Sequence, residues 1–237
     1  MNAPFVLVHG AFHGGWCWRR VSERLAAAAR RVFVPTLTGL GERAHLLSRE
    51  VNLDTHIRDV VGLFEAEELQ DAILVGHSYG GIVITGVAAR IRERIRQLVY
   101  LDSALLDDGQ AWSDAVPPEA AAARRKAAAE SSGGLSIPAP NAAFFGVEDQ
   151  ADQAWVDRRL TPHPFATFDQ KMRWGGPIGN GLPKVYIDCV KPAFPGLAAV
   201  KSRYRGKEGW PFIELATGHD AMVSAPEELT RILLRYA

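Results

Sequence analysis

The sequence predicts an α/β protein built on one doubly wound, mostly parallel sheet of about six strands. Three observations carry this. Short and nearly unbroken apolar runs recur at residues 5–8, 32–34, 72–75, 97–101, 185–189 and 212–215. Stretches with apolar residues at helical spacing separate them. Glycines or polar residues stop each run where a turn is needed. A strand covered by helices on both faces has no polar side, so it reads as a continuous apolar run.

The elements follow in order. Phe5, Val6, Leu7 and Val8 form the first strand, ended by His9-Gly10, and a glycine- and tryptophan-rich turn follows at 13–18. Residues 19–29 carry Val21, Leu25 and Ala28 or Ala29 on one stripe and predict a helix. The second strand, 32–34, stops at Pro35. Residues 36–52 are polar and predict a long loop. Residues 53–69 predict a helix with Ile57, Val60, Val61 and Phe64 facing inward. The third strand is 72–75, and the apolar residues after it can run on as a buried helix. The fourth strand, 97–101, ends at Asp102, the fifth at Cys189 and the sixth at Leu215. A helix is expected near 197–204, and a final one over 226–236.

Between Asp102 and the fifth strand the alternation stops. Roughly eighty residues without a clear strand are too many for an ordinary connection. They predict a helical cap at 103–183, inserted into a core made of 1–102 and 184–237. The 237 residues suffice for one large domain of this kind. Apolar residues make up 47% and charged ones 23%, with 27 basic against 27 acidic side chains. That balance argues against nucleic acid or an anionic membrane as partner. Cys17 and Cys189 form neither a metal-ligand spacing nor a disulfide framework, and the N-terminus enters a strand without a leader pattern. No apolar run has transmembrane length. A cytoplasmic protein without cofactor or metal is expected.

Chemistry concentrates at 76–80, where Gly-His-Ser-Tyr-Gly fits Gly-x-Ser-x-Gly. A serine turned sharply from strand to helix needs neighbours without side chains, and the helix that starts there aims backbone N–H groups and its positive end at the same point. Parallel sheets collect their sites at the carboxyl ends of strands. Reading those ends gives His9-Gly10-Ala11, Ser78, Asp102, Asp188 and the loop 216–219, which holds a nucleophile, a base and two candidate acids. Ser78 is the expected nucleophile and His219, behind Gly218, the base that takes its proton. The oxyanion donors expected for this architecture are the backbone N–H groups of Tyr79 and Ala11, with Phe12 as the alternative for the second. His9 and His13 flank a turn and make a poor metal pair. His77 is expected to pack and hydrogen-bond, while His45, His56 and His163 have no partner legible in the sequence.

The segments 5–18, 37–43, 76–81 and 217–219 resemble the α/β-hydrolase superfamily, and more closely its branch of plant methyl esterases, hydroxynitrile lyases and small bacterial esterases. The similarity covers nearly the whole chain and is weakest in the cap. It implies a cofactor-free hydrolase with a serine–acid–histidine triad. Two departures matter. The branch's usual acid position falls here on Pro192. The superfamily also holds members whose acid ends the strand after the elbow, which is Asp102; Asp188 stays open as the alternative. The lyases of the branch carry threonine where this chain has Gly10 and lysine where it has Asp220, so hydrolysis is favoured. The expectation is a serine hydrolase cleaving a small carboxylic ester through an acyl-serine. Amide, carbamate or lactone cleavage, or a slow-turnover receptor, are the rivals. Aromatic residues of the cap suggest an apolar pocket, with Phe12, Trp112, Trp155, Phe168 and Met222 as lining.

Overall fold

The computed structural model describes residues 2–237. Its main sheet has six parallel strands in the order β2-β1-β3-β4-β7-β8. These are β1 (Phe5–Val8), β2 (Val32–Phe33), β3 (Ala72–His77), β4 (Ile95–Leu101), β7 (Lys184–Cys189) and β8 (Phe212–Leu215). The chain leaves β1 for β2 on one side and returns to β3 on the other. That reversal opens a crevice between the loops following β1 and β3, the place where open parallel sheets bind ligands.

Alternate residues of each strand feed two apolar layers. One face sends Val6, Val8, Leu74, Leu98, Tyr100 and Tyr186 against α2 (Leu53–Ala66), α3 (Gly80–Arg90) and α7 (Ala198–Tyr204). The other sends Phe5, Leu7, Ile73, Val75, Val99 and Ile187 against α1 (Arg19–Ala27), α8 (Ala221–Ser224) and α9 (Pro226–Leu233). Helix α3 is buried nearly throughout, which is why its sequence lacks a polar face. Helix α2 begins at a reciprocal cap: the Asn52 side chain accepts the Thr55 N–H, and the Thr55 hydroxyl accepts the Asn52 N–H.

Several boundaries differ from the sequence expectation. Helix α1 stops at Ala27 and α2 at Ala66, because Ala29 and Glu68 take positive φ (56° and 49°) that a helix cannot continue. The last helix ends at Leu233, and a 3₁₀ turn covers Leu234–Tyr236. The loop at 36–52 contains a 3₁₀ turn, Gly41–Leu46.

Residues 103–183 carry α4 (Pro118–Ser132), α5 (Gln150–Asp157) and α6 (Ala166–Asp169). They also carry strands, contrary to expectation: β5 (Ser136–Ile137) pairs antiparallel with β6 (His163–Pro164). At two residues each these strands are too short to show a period of two.

Candidate active site

Ser78 sits between β3 and α3 with φ at 53°, in the left-handed region that costs a serine on the order of 1–3 kcal/mol. Backbone bonds hold it there. Its N–H donates to the Leu101 carbonyl at 3.1 Å, and its own carbonyl accepts the N–H of Gly81 at 3.0 Å and of Ala104 at 3.1 Å. The turn is so tight that a Cβ on residue 76 would come within 2.6 Å of the Gly80 carbonyl oxygen. Glycine at 76 is therefore required by space.

The Ser78 hydroxyl lies 2.9 Å from His219 Nε2, and His219 Nδ1 lies 2.6 Å from Asp102 Oδ2. An ionised carboxylate only accepts, so Nδ1 carries the proton and Nε2 accepts from the serine. The side chains of all three are buried. Burial opposes charge on Asp102, but the His219 hydrogen bond and the nearby Lys201 ammonium outweigh it and hold the carboxyl below its ordinary range. The other carboxylate oxygen accepts the Cys189 N–H at 3.2 Å and forms an ion pair with Lys201 Nζ at 2.6 Å.

Asp188, the alternative acid, lies one strand further along and does not reach the imidazole. Its Oδ1 is 2.7 Å from Lys201 Nζ, and its Oδ2 pairs with Arg205, which also reaches Glu214. Lys201, on α7, thus bridges two buried carboxylates, and its amine also donates to the Cys189 carbonyl at 3.1 Å. Burial opposes its charge, yet Asp102 and Asp188 raise its pKa. Lys201 is not legible in the sequence, because a lysine in a surface-type helix carries no local mark of such a partner.

The backbone N–H groups of Ala11 and Tyr79 have no hydrogen-bond partner among the described residues. The Phe12 N–H does: it donates to His163 Nδ1 at 3.3 Å. The loop after β1 therefore offers Ala11 rather than Phe12 as a free donor. Gly10 lies close behind, where a Cβ would stand 2.9 Å from both Ser78 Cβ and His77 Nδ1.

The remaining buried histidines split by charge. His13 Nε2 meets Asp220 Oδ2 at 3.0 Å and its Nδ1 meets the Ala11 carbonyl at 2.7 Å. Both partners only accept, so both ring nitrogens carry protons and the ring is an imidazolium. Burial works against that charge, and Asp220 outweighs it and raises the pKa. Asp220 is held low in return, by His13 first, against its own burial. His77 donates from Nε2 to the His219 carbonyl at 2.9 Å and stays neutral, its pKa driven down to about 3 mainly by burial. His56 and His163, which had no legible partner, both have one. His56 receives the Tyr79 hydroxyl at 2.9 Å and donates to the Thr38 carbonyl at 2.8 Å. His163 donates from Nε2 to the Thr167 hydroxyl at 2.8 Å.

Ala11, Ser78 and His219 line a cavity of about 200 Å³ walled by Phe12, Trp112 and Phe168 with Phe144, Phe145 and Phe194. Trp112 stacks on Phe168 at 5.4 Å between ring centres. Three of the five expected lining residues are therefore there. The other two are not. Trp155 packs edge-on against Trp16 at 5.1 Å, with the guanidinium groups of Arg20 and Arg159 over its ring. Met222 is fully buried in the apolar layer with Val21, Leu25 and Leu229. Both belong to the opposite face of the sheet, where α1, α8 and α9 need apolar filling.

Residues 5–232 match the alpha/beta hydrolase family. The chain is 46% identical over 242 aligned residues to a carbendazim hydrolyzing esterase of Nocardioides sp. (strain SG-4G), covering 98% of each chain. It is 26% identical to the pFDCC methylesterase MES16 of Arabidopsis thaliana, covering 98% of this chain and 93% of that one. An extracellular alpha/beta-hydrolase from a Paenibacillus species shares its fold with a TM-score of 0.85 at 24% identity, covering 100% and 99% of the two chains. On the elbow geometry, the parallel sheet and a match spanning nearly its full length, the chain belongs to the α/β-hydrolase family.

Proposed function

We propose that the chain hydrolyses small carboxylic esters through an acyl-serine intermediate, with Ser78 as nucleophile, His219 as base and acid, and Asp102 as the orienting carboxylate. The observation that carries this is the continuous series from Asp102 through His219 to the Ser78 hydroxyl, at 2.6 and 2.9 Å. Ser78 Oγ attacks the ester carbonyl carbon as His219 Nε2 takes the hydroxyl proton. The carbonyl oxygen becomes an oxyanion held by the N–H groups of Ala11 and Tyr79. His219 gives the proton to the departing alkoxide oxygen, and the alcohol leaves. A water then attacks the acyl-serine with His219 again as base, releasing the acid and restoring Ser78. Asp102 stays ionised throughout and stabilises the imidazolium.

The two sides of the scissile bond have different surroundings. The cavity that includes Ala11 and Ser78 suits the acyl part, which remains attached to the serine. A groove of about 190 Å³ past His219, lined by Phe144, Pro192, Phe194 and Pro195, suits the alcohol that His219 protonates. Residues 103–183 act as the cap that closes the acyl side, supplying Trp112, Phe144, Phe145 and Phe168. The close approach of residue 10 to Ser78, and the engagement of Asp220 by His13, support hydrolysis over lyase chemistry. Two buried free thiols, Cys17 and Cys189, support a reducing, cytoplasmic setting. No described helix is long and apolar enough to cross a membrane.

Turnover of p-nitrophenyl esters of rising acyl length, in wild type and Ser78→Ala, tests the reading. Hydrolysis that depends on Ser78 and falls as the acyl chain outgrows the cavity is expected. A second reading, cleavage of a methyl carbamate by the same groups, is favoured by the 46% identity to an esterase named for carbendazim, which is a methyl carbamate. Methyl N-arylcarbamates beside matched methyl benzoates separate the two.

A further inference from the structure

Arg124 is the side chain of permanent charge among the described residues lining the cavity that holds Ser78. It stands on α4, whose sequence there is mostly alanine, with Ala121 and the fully buried Ala128 on the same side at helical spacing. Its neighbours on the outer faces are paired: Arg125 with Asp169, Lys126 with Glu130. Arg124 has no carboxylate and no hydrogen-bond acceptor among the described residues. One of its guanidinium nitrogens, Nη1, is buried without a partner. The group lies 5.7 Å from the ring centres of both Trp112 and Phe168, and the indole N–H of Trp112 is likewise buried and unpaired. Buried donors in native proteins are almost always satisfied, and an unsatisfied charged one is the costlier case. Burial pulls the Arg124 pKa down from its ordinary value, without any anion to offset it.

Resting on the esterase reading, we propose that the cavity takes an ester whose acyl part ends in a carboxylate, received by Arg124 over the Trp112 and Phe168 rings. A planar guanidinium offers two parallel N–H groups to such a group, and the apolar walls strengthen the attraction by excluding water. The favoured substrates are then half-esters of dicarboxylic acids, with an aliphatic or aryl spacer between the two carbonyl carbons.

The test compares monomethyl esters of dicarboxylic acids from succinate to suberate, and monomethyl terephthalate, with neutral methyl esters of matched length. In wild type, kcat/KM for the best half-ester should exceed its neutral match at least tenfold. That ratio should collapse towards one in Arg124→Met and survive in large part in Arg124→Lys. A ratio near one in wild type, which needs no variant, overturns the proposal, as does a preference unchanged in Arg124→Met. Either result leaves the esterase reading standing if p-nitrophenyl acetate is still cleaved in a Ser78-dependent way. Loss of all ester turnover in wild type removes both.

Discussion

Lys201 Nζ stands 2.6 Å from one oxygen of Asp102 while the other oxygen of that carboxylate receives His219 Nδ1 at 2.6 Å. The Asp102 carboxylate is therefore held from both ends, by a residue of α7 and by the loop after β8. A carboxylate with no exposed surface keeps its charge only when so partnered.

Replacing Lys201 with Met should move the acidic limb of the kcat/KM profile to higher pH. Asp102 is held below its ordinary pKa, and removing the ammonium lets burial push it up, so it protonates earlier as pH falls. Lys201→Arg should keep more of the wild-type profile. A Lys201→Met enzyme with lower stability but an unmoved acidic limb would reduce Lys201 to a packing role.

Asp102→Asn should lose about 10⁴ in turnover with the fold intact, because the amide keeps the shape but removes the charge and disturbs the His219 tautomer. Asp188→Asn should lose far less rate and more stability, since it strips a counter-charge from Lys201 and Arg205. The two variants are compared by kcat on one p-nitrophenyl ester and by thermal midpoint. The reverse ranking of rates would move the acid to Asp188.

Asp220→Asn should destabilise the fold by about 3 kcal/mol at neutral pH, as breaking a buried ion pair does. The pair's contribution has two edges. Asp220 has a depressed pKa, so its share is present above the ordinary carboxylate range and is lost as pH falls through the folded value. His13 has a raised pKa, so its share is full below the ordinary histidine value of 6.5 and is lost as pH rises through the folded value. Urea unfolding of wild type and variant across pH should show the gap widest in mildly acidic solution and closing at both ends. A gap independent of pH would mean the loss is steric.

Much of this candidate site's arrangement is legible in the sequence. Ser78 announces itself through the glycine at 76, and His219 through its place after the last strand, because both depend on local backbone geometry. Asp102 is the acid the sequence favours, with Asp188 open as the alternative because the two end neighbouring parallel strands. In the structure Asp102 meets the imidazole, and Asp188 pairs with Lys201 and Arg205 instead. The pocket was half legible for a related reason. An aromatic or methionine is apolar whichever face of the sheet it covers, so composition could not separate Trp112 and Phe168 from Trp155 and Met222. His56 meets Tyr79 where α2 packs against the turn before α3, a tertiary contact that no sequence period records, while His163 reaches Thr167 four residues on.

The most direct test of the account is intact-protein mass spectrometry after mixing with a slowly deacylating p-nitrophenyl ester, followed by peptide mapping. One acyl group added, located on Ser78, is expected, with no adduct in Ser78→Ala and turnover there reduced by several orders of magnitude. An acyl group on another residue, or a Ser78→Ala variant that still hydrolyses the ester at near the wild-type rate, would contradict it.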